Sequence, residues 1–257
     1  MHPGSIPGEA SNCGFADLTW RPAISSFVDF GKTRMATQSF DPPYASQRLQ
    51  MVNEQLRTSD VRDASVLAAF LEIPRERFVA PARKGLAYLD QDQLSAGSQR
   101  RMLLAPRTLA LLLQAAAIAP GERVLDVGGG SGYTAALLHH MGAKVVALES
   151  DRGALEAARQ ALAGRPDIEI VEGELAAGAA DKAPFGAIIV DGAFATAPIA
   201  LLDQLAKGGR LVGVDARTDA RRAVMIDRSA SGFSERTLFE TTADVLDGFA
   251  RAPTFAF

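Results

Sequence analysis

Hydrophobic positions in the first part of the chain follow a helical repeat. In residues 44–59, "YASQRLQMVNEQLRTS", the apolar residues Ala45, Leu49, Val52 and Leu56 are spaced by four, three and four positions. This spacing places them on one face of an α-helix, with polar residues on the opposite face. The pattern therefore predicts an amphipathic helix that is buried along that face.

Two further helices are predicted before residue 121. One covers "DASVLAAFLEI" and ends at Pro74, and the other covers "PRTLALLLQAAAI", where Pro106 suits a first helical turn. The stretch "RERFVAPARKGLAYLD" after Pro74 is predicted to be irregular and extended. Residues 90–106, "DQDQLSAGSQRRMLLAP", are polar at first and apolar at the end. Leu103 and Leu104 therefore belong either to this segment or to the start of the next helix.

Beyond Gly121 the chain alternates between short runs rich in β-branched residues and helical patterns. The predicted strands are 123–128, 144–150, 168–173, 186–192 and 209–215. The predicted helices lie near "GYTAALLHHM", "GALEAARQALA" and "APIALLDQLAK". This alternation predicts a parallel sheet with helices on both faces. The last third predicts a hairpin of "RRAVMIDRS" and "FSERTLFET", joined through "ASG".

Charge and hydropathy narrow the classes of partner. The formal net charge is −3, and the 27 basic residues are scattered along the sequence, so no basic patch for nucleic acid or an anionic membrane is visible. No apolar run reaches the roughly 18 to 20 residues that a membrane-spanning helix needs. The N-terminus lacks the basic and apolar segments of a secretion signal. We therefore expect neither nucleic acid nor a membrane as partner.

Few side chains in this sequence suit a disulfide or a metal ion. Cys13 is the single cysteine, and the histidines are His2, His139 and His140. An internal disulfide cannot form, and a structural zinc site would have too few soft ligands. This composition predicts a cytoplasmic protein without a metal site.

A glycine-rich turn between a strand and a helix is the strongest motif. In "VLDVGGGSGYTAALL", Gly128, Gly130 and Gly132 follow the strand directly. Glycine allows the positive φ angles that such a turn needs and lets a ligand approach the backbone. The helix that begins near Gly132 is expected to direct unpaired N–H groups at the ligand.

The spacing of these glycines indicates which ligand they serve. The dinucleotide pattern requires a sixth-position glycine, where this chain has Tyr133, and no lysine follows as in a phosphate-binding P-loop. The pattern that is present begins at Asp126 and runs Asp-x-Gly-x-Gly-x-Gly, which resembles motif I of S-adenosylmethionine-dependent methyltransferases. A tight turn without a ligand is the alternative.

Three acidic residues follow the predicted strands at the same edge of the sheet. Glu149 ends the second strand, nineteen residues after Gly130, where an acid can accept hydrogen bonds from a ribose diol. Glu174 follows the third strand and Asp191 follows the fourth. We expect Glu149 to bind the ribose, while Glu174 and Asp191 are either further ligands or ordinary loop acids.

From Tyr44 onward the chain resembles the protein-L-isoaspartate O-methyltransferase family. The motifs that carry the resemblance are "MVNEQL", "VLAAF", "PRERFV", "AYLDQ", "VLDVGGGSGY", "VVALESD" and "GGRLV". The resemblance implies a Rossmann-like class I methyltransferase fold. This is an α/β fold with a seven-stranded, mostly parallel sheet, an antiparallel C-terminal hairpin whose last strand inserts antiparallel, and an N-terminal helical extension. It also implies S-adenosylmethionine as cofactor and the α-carboxylate of isoaspartyl residues as methyl acceptor.

The resemblance also assigns site residues. It places Asp126, Gly128, Gly130, Gly132, Glu149 and Glu174 at the cofactor, with Glu174 on the adenine side in place of the family's aspartate. In residues 90–106 the family's Thr-Ile-Ser end is replaced by "RRMLLAP", and two extra residues precede Pro106. Met102 or Leu104 falls where the family has its active-site serine. Ser98 and Gln99 remain as polar catalytic candidates, together with Asp191.

The domain prediction follows from these assignments. Residues 1–43 are predicted to be a disordered leader, and Met35 is a candidate for the true start. Residues 44–257 are predicted to form one methyltransferase domain, in which 44–105 are the helical and substrate-loop part and 106–257 the cofactor-binding sheet.

The methyl acceptor stays open between hypotheses at this point. One is a protein or peptide carboxylate, as in the family. Another is a small-molecule hydroxyl, for which Asp191 could serve as base or metal ligand, because a hydroxyl must be deprotonated. The third is a protein that binds S-adenosylmethionine without catalysis. The oligomeric state is not predicted.

Overall fold

The computed structural model describes Met1 and residues 44–251. The predicted leader, residues 1–43, lies outside the described residues apart from Met1. The helices are α1 (Ala45–Gln50), α2 (Ala64–Glu72), α3 (Pro106–Ala116), α4 (Tyr133–His140), α5 (Arg152–Ala161) and α6 (Ile199–Asp203). The strands are β1 (Gln93–Leu94), β2 (Met102–Leu103), β3 (Arg123–Val127), β4 (Lys144–Glu149), β5 (Ile168–Glu172), β6 (Phe185–Phe194), β7 (Leu205–Asp215), β8 (Arg222–Ser229) and β9 (Gly232–Glu240).

A seven-stranded sheet in the order β5-β4-β3-β6-β7-β8-β9 forms the centre of the fold. Strands β3 to β7 pair in parallel, and β8 and β9 pair antiparallel, which confirms the predicted sheet and its C-terminal hairpin. The expectation that the last strand inserts was wrong, since β8 lies against β7 and β9 forms the edge. A tight hairpin connection leaves β9 next to β8, so the edge position follows from the short turn at residues 230–231.

Both faces of the parallel strands are buried, as a parallel sheet requires. Side chains alternate along β3, so that Val124 packs into one apolar cluster and Leu125 into the other. The same alternation separates Val145 from Val146 on β4. The helices predicted between the strands are present, but the predicted third one is shorter. Helix α6 ends at Asp203, because Leu205 already pairs with Phe185.

The N-terminal helix is present but is not a regular α-helix. After α1 the chain continues as a π-helix over Met51–Leu56 and a short 3₁₀ turn. The wider π-helical turn shifts the buried face, so Met51 and Val52 are buried while Leu49 is 52% exposed. The prediction that Leu49 belongs to the buried face was therefore wrong.

Residues 90–106 form a small hairpin instead of a loop or a helix start. Strands β1 and β2 pair antiparallel, with Leu94 opposite Met102, and we call residues 93–103 the substrate hairpin. Leu103 and Leu104 are buried in the core, but they precede α3, which begins at Pro106. The stretch before the hairpin contains 3₁₀ turns at Arg75–Arg77 and Pro81–Leu86, so it is less extended than predicted.

The fully buried Arg75 connects this region to the core. Its Nε donates to the carbonyl oxygen of Ala87 at 2.9 Å and its Nη2 to that of Leu104 at 2.8 Å. The guanidinium also lies 5.0 Å from the ring centroid of Tyr133, at the start of α4. Arg75 therefore fixes both ends of the segment that carries the substrate hairpin.

Within the described part of the chain, no helix has the length and apolar character needed to cross a membrane.

Candidate functional site

The glycine loop between β3 and α4 adopts the conformation that its sequence predicts. Gly128, Gly130 and Gly132 have φ angles of +76°, +62° and +89°, which side chains other than glycine rarely adopt. Parallel pairing of β3 with β4 brings this loop next to the end of β4, where Glu149 lies. The predicted neighbours therefore meet at the carboxyl edge of the sheet.

Two N–H groups of the glycine loop are bonded by protein side chains. Gly130 N donates to Glu149 Oε2 at 2.9 Å, and Ser131 N donates to Ser95 Oγ of the substrate hairpin at 2.9 Å. Both groups precede α4, so the expectation that the first N–H groups of the helix near Gly132 face a ligand stays a prediction. A Cβ on Gly130 would lie 2.6 Å from Ser95 Oγ. The group that comes close to the Gly130 backbone is therefore the Ser95 side chain of the substrate hairpin.

Glu149 is buried and accepts several hydrogen bonds. Its Oε1 accepts from the backbone N–H groups of Ser150 at 2.7 Å and Asp151 at 2.9 Å, and from Arg101 Nη2 at 3.0 Å and Nε at 3.3 Å. The side chain of Arg101 is 6% exposed and that of Glu149 is 4% exposed, so this is a buried ion pair. Sequence reasoning found Glu149 but missed Arg101, which it counted only as part of a divergent segment.

Asp126 lies beneath the glycine loop. It is fully buried, both carboxyl oxygens lack a hydrogen-bond partner among the described residues, and a Cβ on Gly129 would lie 2.4 Å from Oδ2. Burial raises the pKa of Asp126 well above its usual range, and the carboxylates of Asp191 and Glu149 raise that pKa further. The Asp126 carboxyl group therefore lies directly below the glycine loop and fills the space that a side chain on Gly129 would need.

A cavity of about 290 Å³ opens beside these carboxylates. It is lined by Asp92, Arg100, Arg101, Met102, Leu104, Asp191, Gly192, Asp244, Val245, Leu246 and Asp247. The substrate hairpin forms one wall, and the end of β6 with the segment after β9 forms the other. The cavity therefore joins the predicted acceptor segment to the carboxyl edge of the sheet.

Asp191 is the predicted site residue that lines this cavity directly. Its Oδ1 is buried and has no partner among the described residues. The pKa of Asp191 is raised to about 7, chiefly by burial and less by the charge of Glu149, against a hydrogen bond with Thr134 and the charge of Arg75, which lower it. Asp191 can therefore exchange a proton near neutral pH.

The raised pKa of Asp191 predicts a stability that depends on pH. The folded chain holds this proton more tightly than the unfolded chain, so the free energy of unfolding falls as pH rises from the ordinary aspartate pKa to about 7. Asp191→Asn cannot ionise, so urea unfolding should show that its stability relative to the parent chain increases by up to about 1.4 kcal/mol per pH unit in that window. An equal difference between the two chains at about pH 5 and about pH 8 would contradict this.

The other predicted site residues lie outside the cavity lining. Ser98 is buried, where its hydroxyl donates to Asp151 Oδ2 at 2.8 Å and accepts from Arg101 N at 2.8 Å. Gln99 is exposed beside it, and Glu174 is exposed after β5. Ser98 therefore holds the substrate hairpin onto the start of α5. The catalytic roles of Ser98 and Gln99 and the cofactor role of Glu174 stay predictions.

The charges at this edge suit the predicted cofactor. S-adenosylmethionine carries a positive sulfonium and an ammonium group, and its ribose diol needs acceptors. The edge supplies the carboxyl groups of Glu149, Asp191, Asp244 and Asp247, of which Asp191 has an oxygen without a partner among the described residues. The residues present therefore fit the cofactor.

Comparison with known proteins identifies relatives along most of the chain. The family model of protein-L-isoaspartate(D-aspartate) O-methyltransferase matches residues 46–243. A protein-L-isoaspartate O-methyltransferase from Methylorubrum extorquens (strain PA1) is 42% identical over 183 residues, which cover 71% of this chain and 79% of the relative. One from Gloeobacter violaceus is 38% identical over 192 residues, covering 74% of this chain and 93% of the relative.

Solved structures show the same fold. A protein-L-isoaspartate O-methyltransferase structure matches with a TM-score of 0.68 and 25% identity, covering 78% of this chain and 66% of that chain. A Plasmodium falciparum protein, described as a β-aspartate methyltransferase in complex with S-adenosyl-L-homocysteine, matches with a TM-score of 0.65 and 20% identity. That match covers 79% of this chain and 98% of the other.

Proposed function

The chain belongs to the protein-L-isoaspartate(D-aspartate) O-methyltransferase family, and on that premise we propose that it methylates the α-carboxylate of isoaspartyl residues in damaged proteins. The methyl donor is S-adenosylmethionine. The observation that carries the proposal is the family match over residues 46–243, a range that includes both the glycine loop and the substrate hairpin. The cavity beside the substrate hairpin opens at the carboxyl edge of the sheet, where donor and acceptor would meet.

The chemistry asks little of the chain beyond binding and alignment. The cofactor supplies an electrophilic methyl group on its sulfonium sulfur. An acceptor carboxylate is already ionised at neutral pH, so no general base is needed. The transfer therefore asks the chain neither to hold nor to move a proton. The protein residues therefore act by holding the acceptor oxygen in line and by excluding water.

Individual residues have distinct parts in this proposal. Glu149 accepts hydrogen bonds from the ribose diol, and the backbone around Gly128 and Gly130 shapes the cofactor site. Asp191, whose pKa is raised to about 7 chiefly by burial, lies on the cavity wall, where it would face the cationic groups of a bound cofactor. An apolar residue, Met102 or Leu104, stands where the family has its serine, but a carboxylate acceptor needs no base at that position.

The acceptor is a protein or peptide. A carboxylate acceptor is favoured over a small-molecule hydroxyl because the curated relatives share the isoaspartate methyltransferase name. The methyl ester that forms can cyclise to a succinimide, which reopens in part as normal aspartate. The proposed function is therefore protein repair.

One assay tests donor, acceptor and specificity together. Purified full-length chain is incubated with methyl-labelled S-adenosylmethionine and a short isoaspartyl peptide, beside a twin peptide with normal aspartate at the same position. We expect label in the isoaspartyl peptide and none above background in its twin. Equal labelling of both peptides, or none in either at saturating concentrations, would reject the proposed acceptor.

A further inference from the structure

The substrate hairpin places one buried cation, Arg101, between Glu149 at the carboxyl edge of the sheet and the cavity. Arg101 precedes β2, its side chain is 6% exposed, and it lines the cavity. Its Nη2 lies 3.0 Å from Glu149 Oε1 and 3.4 Å from Asp247 Oδ2. Nη1 has no hydrogen-bond partner within the described residues. Arg101 therefore spans the distance from the ribose-binding carboxylate to the proposed acceptor space.

The cavity offers an entering carboxylate few cations. Asp92, Asp191, Asp244 and Asp247 contribute acidic groups, and the lining cations are Arg100 and Arg101. Arg100 is 70% exposed and pairs with Asp247 at 3.1 Å, so solvent screens its charge. A carboxylate that leaves water for this cavity needs a buried, hydrogen-bonding counter-charge. Arg101 is the lining cation that meets this condition.

The hydrogen bonds of Glu149 indicate when Arg101 becomes available. Oε1 accepts from two backbone N–H groups and from Arg101. The donors of Ser150 and Asp151 belong to the backbone before α5, whereas those of Arg101 lie at the end of a long side chain. A ribose hydroxyl that bonds Oε1 therefore competes with Arg101, and a displaced guanidinium is free to pair with another carboxylate in the cavity.

We propose that Arg101 is the acceptor-binding residue, which exchanges Glu149 for the α-carboxylate of the isoaspartyl substrate when the cofactor is bound. This inference rests on the proposed function and deepens it. A guanidinium can hold one carboxylate oxygen while the other attacks the methyl group. The arginine thereby takes over the positioning that the family's serine would provide.

The test uses Arg101→Gln, Arg101→Lys and, as matched control, Arg107→Gln. Arg107 is an arginine close by in sequence, but it is outside the cavity lining and pairs with Asp90 at 3.1 Å. Two measurements are made on the full chain: the KM and kcat for the isoaspartyl peptide, and calorimetric binding of the same peptide to protein saturated with S-adenosylhomocysteine. Binding of S-adenosylhomocysteine alone is measured in parallel.

For Arg101→Gln we expect KM and peptide Kd to rise roughly tenfold to hundredfold, the range for a lost charge-assisted hydrogen bond. Arg101→Lys should recover part of this loss, and Arg107→Gln should match the parent chain. S-adenosylhomocysteine should bind Arg101→Gln no more weakly than the parent, because its competitor for Glu149 is gone. A merely structural role of Arg101 would weaken the binding of both ligands.

The outcomes separate this inference from the proposed function. Methylation with a KM that does not depend on Arg101, or weaker S-adenosylhomocysteine binding by Arg101→Gln, overturns the inference and leaves the function intact. Arg101-dependent peptide binding without methylation supports the inference and rejects the function. A parent chain that neither binds nor methylates the peptide overturns both.

Discussion

Replacing Glu149 by glutamine is expected to weaken the binding of S-adenosylhomocysteine by roughly 100-fold. The two hydrogen bonds that the ribose diol would donate to the carboxylate lose their charged acceptor, and the amide must also turn to suit the backbone donors around it. The carboxylate accepts from the backbone N–H groups of Gly130, Ser150 and Asp151, one through Oε2 and two through Oε1. A glutamine amide has one acceptor oxygen, so its NH₂ group must face at least one of these donors. The amide also presents no negative charge to the ribose diol. Calorimetric titration of the purified variant measures the effect.

A matched control comes from the neighbouring strand. Glu172 is the register partner of Glu149 across β4 and β5, but it is 46% exposed in its side chain and pairs with Arg152 at 3.3 Å. Glu172→Gln should leave the Kd of S-adenosylhomocysteine unchanged within about twofold, because exposed ion pairs contribute little. The assignment of Glu149 to the cofactor fails if both variants bind the ligand equally.

The arrangement at the carboxyl edge of the sheet could be predicted from the sequence because its parts are local. The glycine turn, the strand before it and the acid at the end of the next strand each have a short-range pattern, and parallel pairing then fixes where they meet. In the structure Val127 pairs with Leu148, which sets Glu149 beside the glycine loop. Because neighbouring parallel strands end at the same edge of the sheet, the positions of the loop and of Glu149 in the sequence were enough to predict that they lie close together.

The contacts of the substrate hairpin, which forms one wall of the cavity, could not be predicted in the same way. Arg101 and Glu149 are 48 positions apart and Ser98 and Asp151 are 53 apart, so neither contact follows from a local pattern. The helical repeat that placed Leu49 on the buried face failed for a related reason: the π-helix after α1 shifts the register, and packing against the rest of the core decides that shift. Tertiary contacts, which single-sequence patterns do not contain, determine both features.

The substrate hairpin is held at three points over the glycine loop and α5. Ser95 accepts from Ser131 N, Ser98 donates to Asp151, and the backbones of Gly97 and Gly153 touch. An ideal Cβ on Gly97 would lie 2.1 Å from the carbonyl oxygen of Gly153, and one on Gly153 would lie 2.0 Å from that of Gly97. The close backbone contact between Gly97 and Gly153 therefore determines how near the substrate hairpin, and with it Arg101, lies to α5.

Gly97→Ala is expected to lower kcat/KM for an isoaspartyl peptide by roughly 100-fold, because a displacement of about 1 Å in a positioning element has an effect of that size. The Cβ meets backbone atoms, which cannot rotate away, so the substrate hairpin must move off α5 and carry Arg101 with it. Glu149 keeps its backbone donors, so the Kd of S-adenosylhomocysteine should change much less than kcat/KM. Steady-state kinetics and calorimetry on the same preparation measure the two effects.

Gly164→Ala separates this close contact from the cost of the backbone conformation. Gly97 and Gly164 have φ angles of +76° and +81°, but no atom lies within 4 Å of a Cβ at Gly164. Both variants should lose about 1–2 kcal/mol in the free energy of unfolding from the left-handed conformation alone. Gly97→Ala alone should lose activity, because only there does the added methyl group separate the hairpin from α5. Equal losses of kcat/KM in both variants would show that backbone strain at a glycine lowers the activity, and that the position of Arg101 does not.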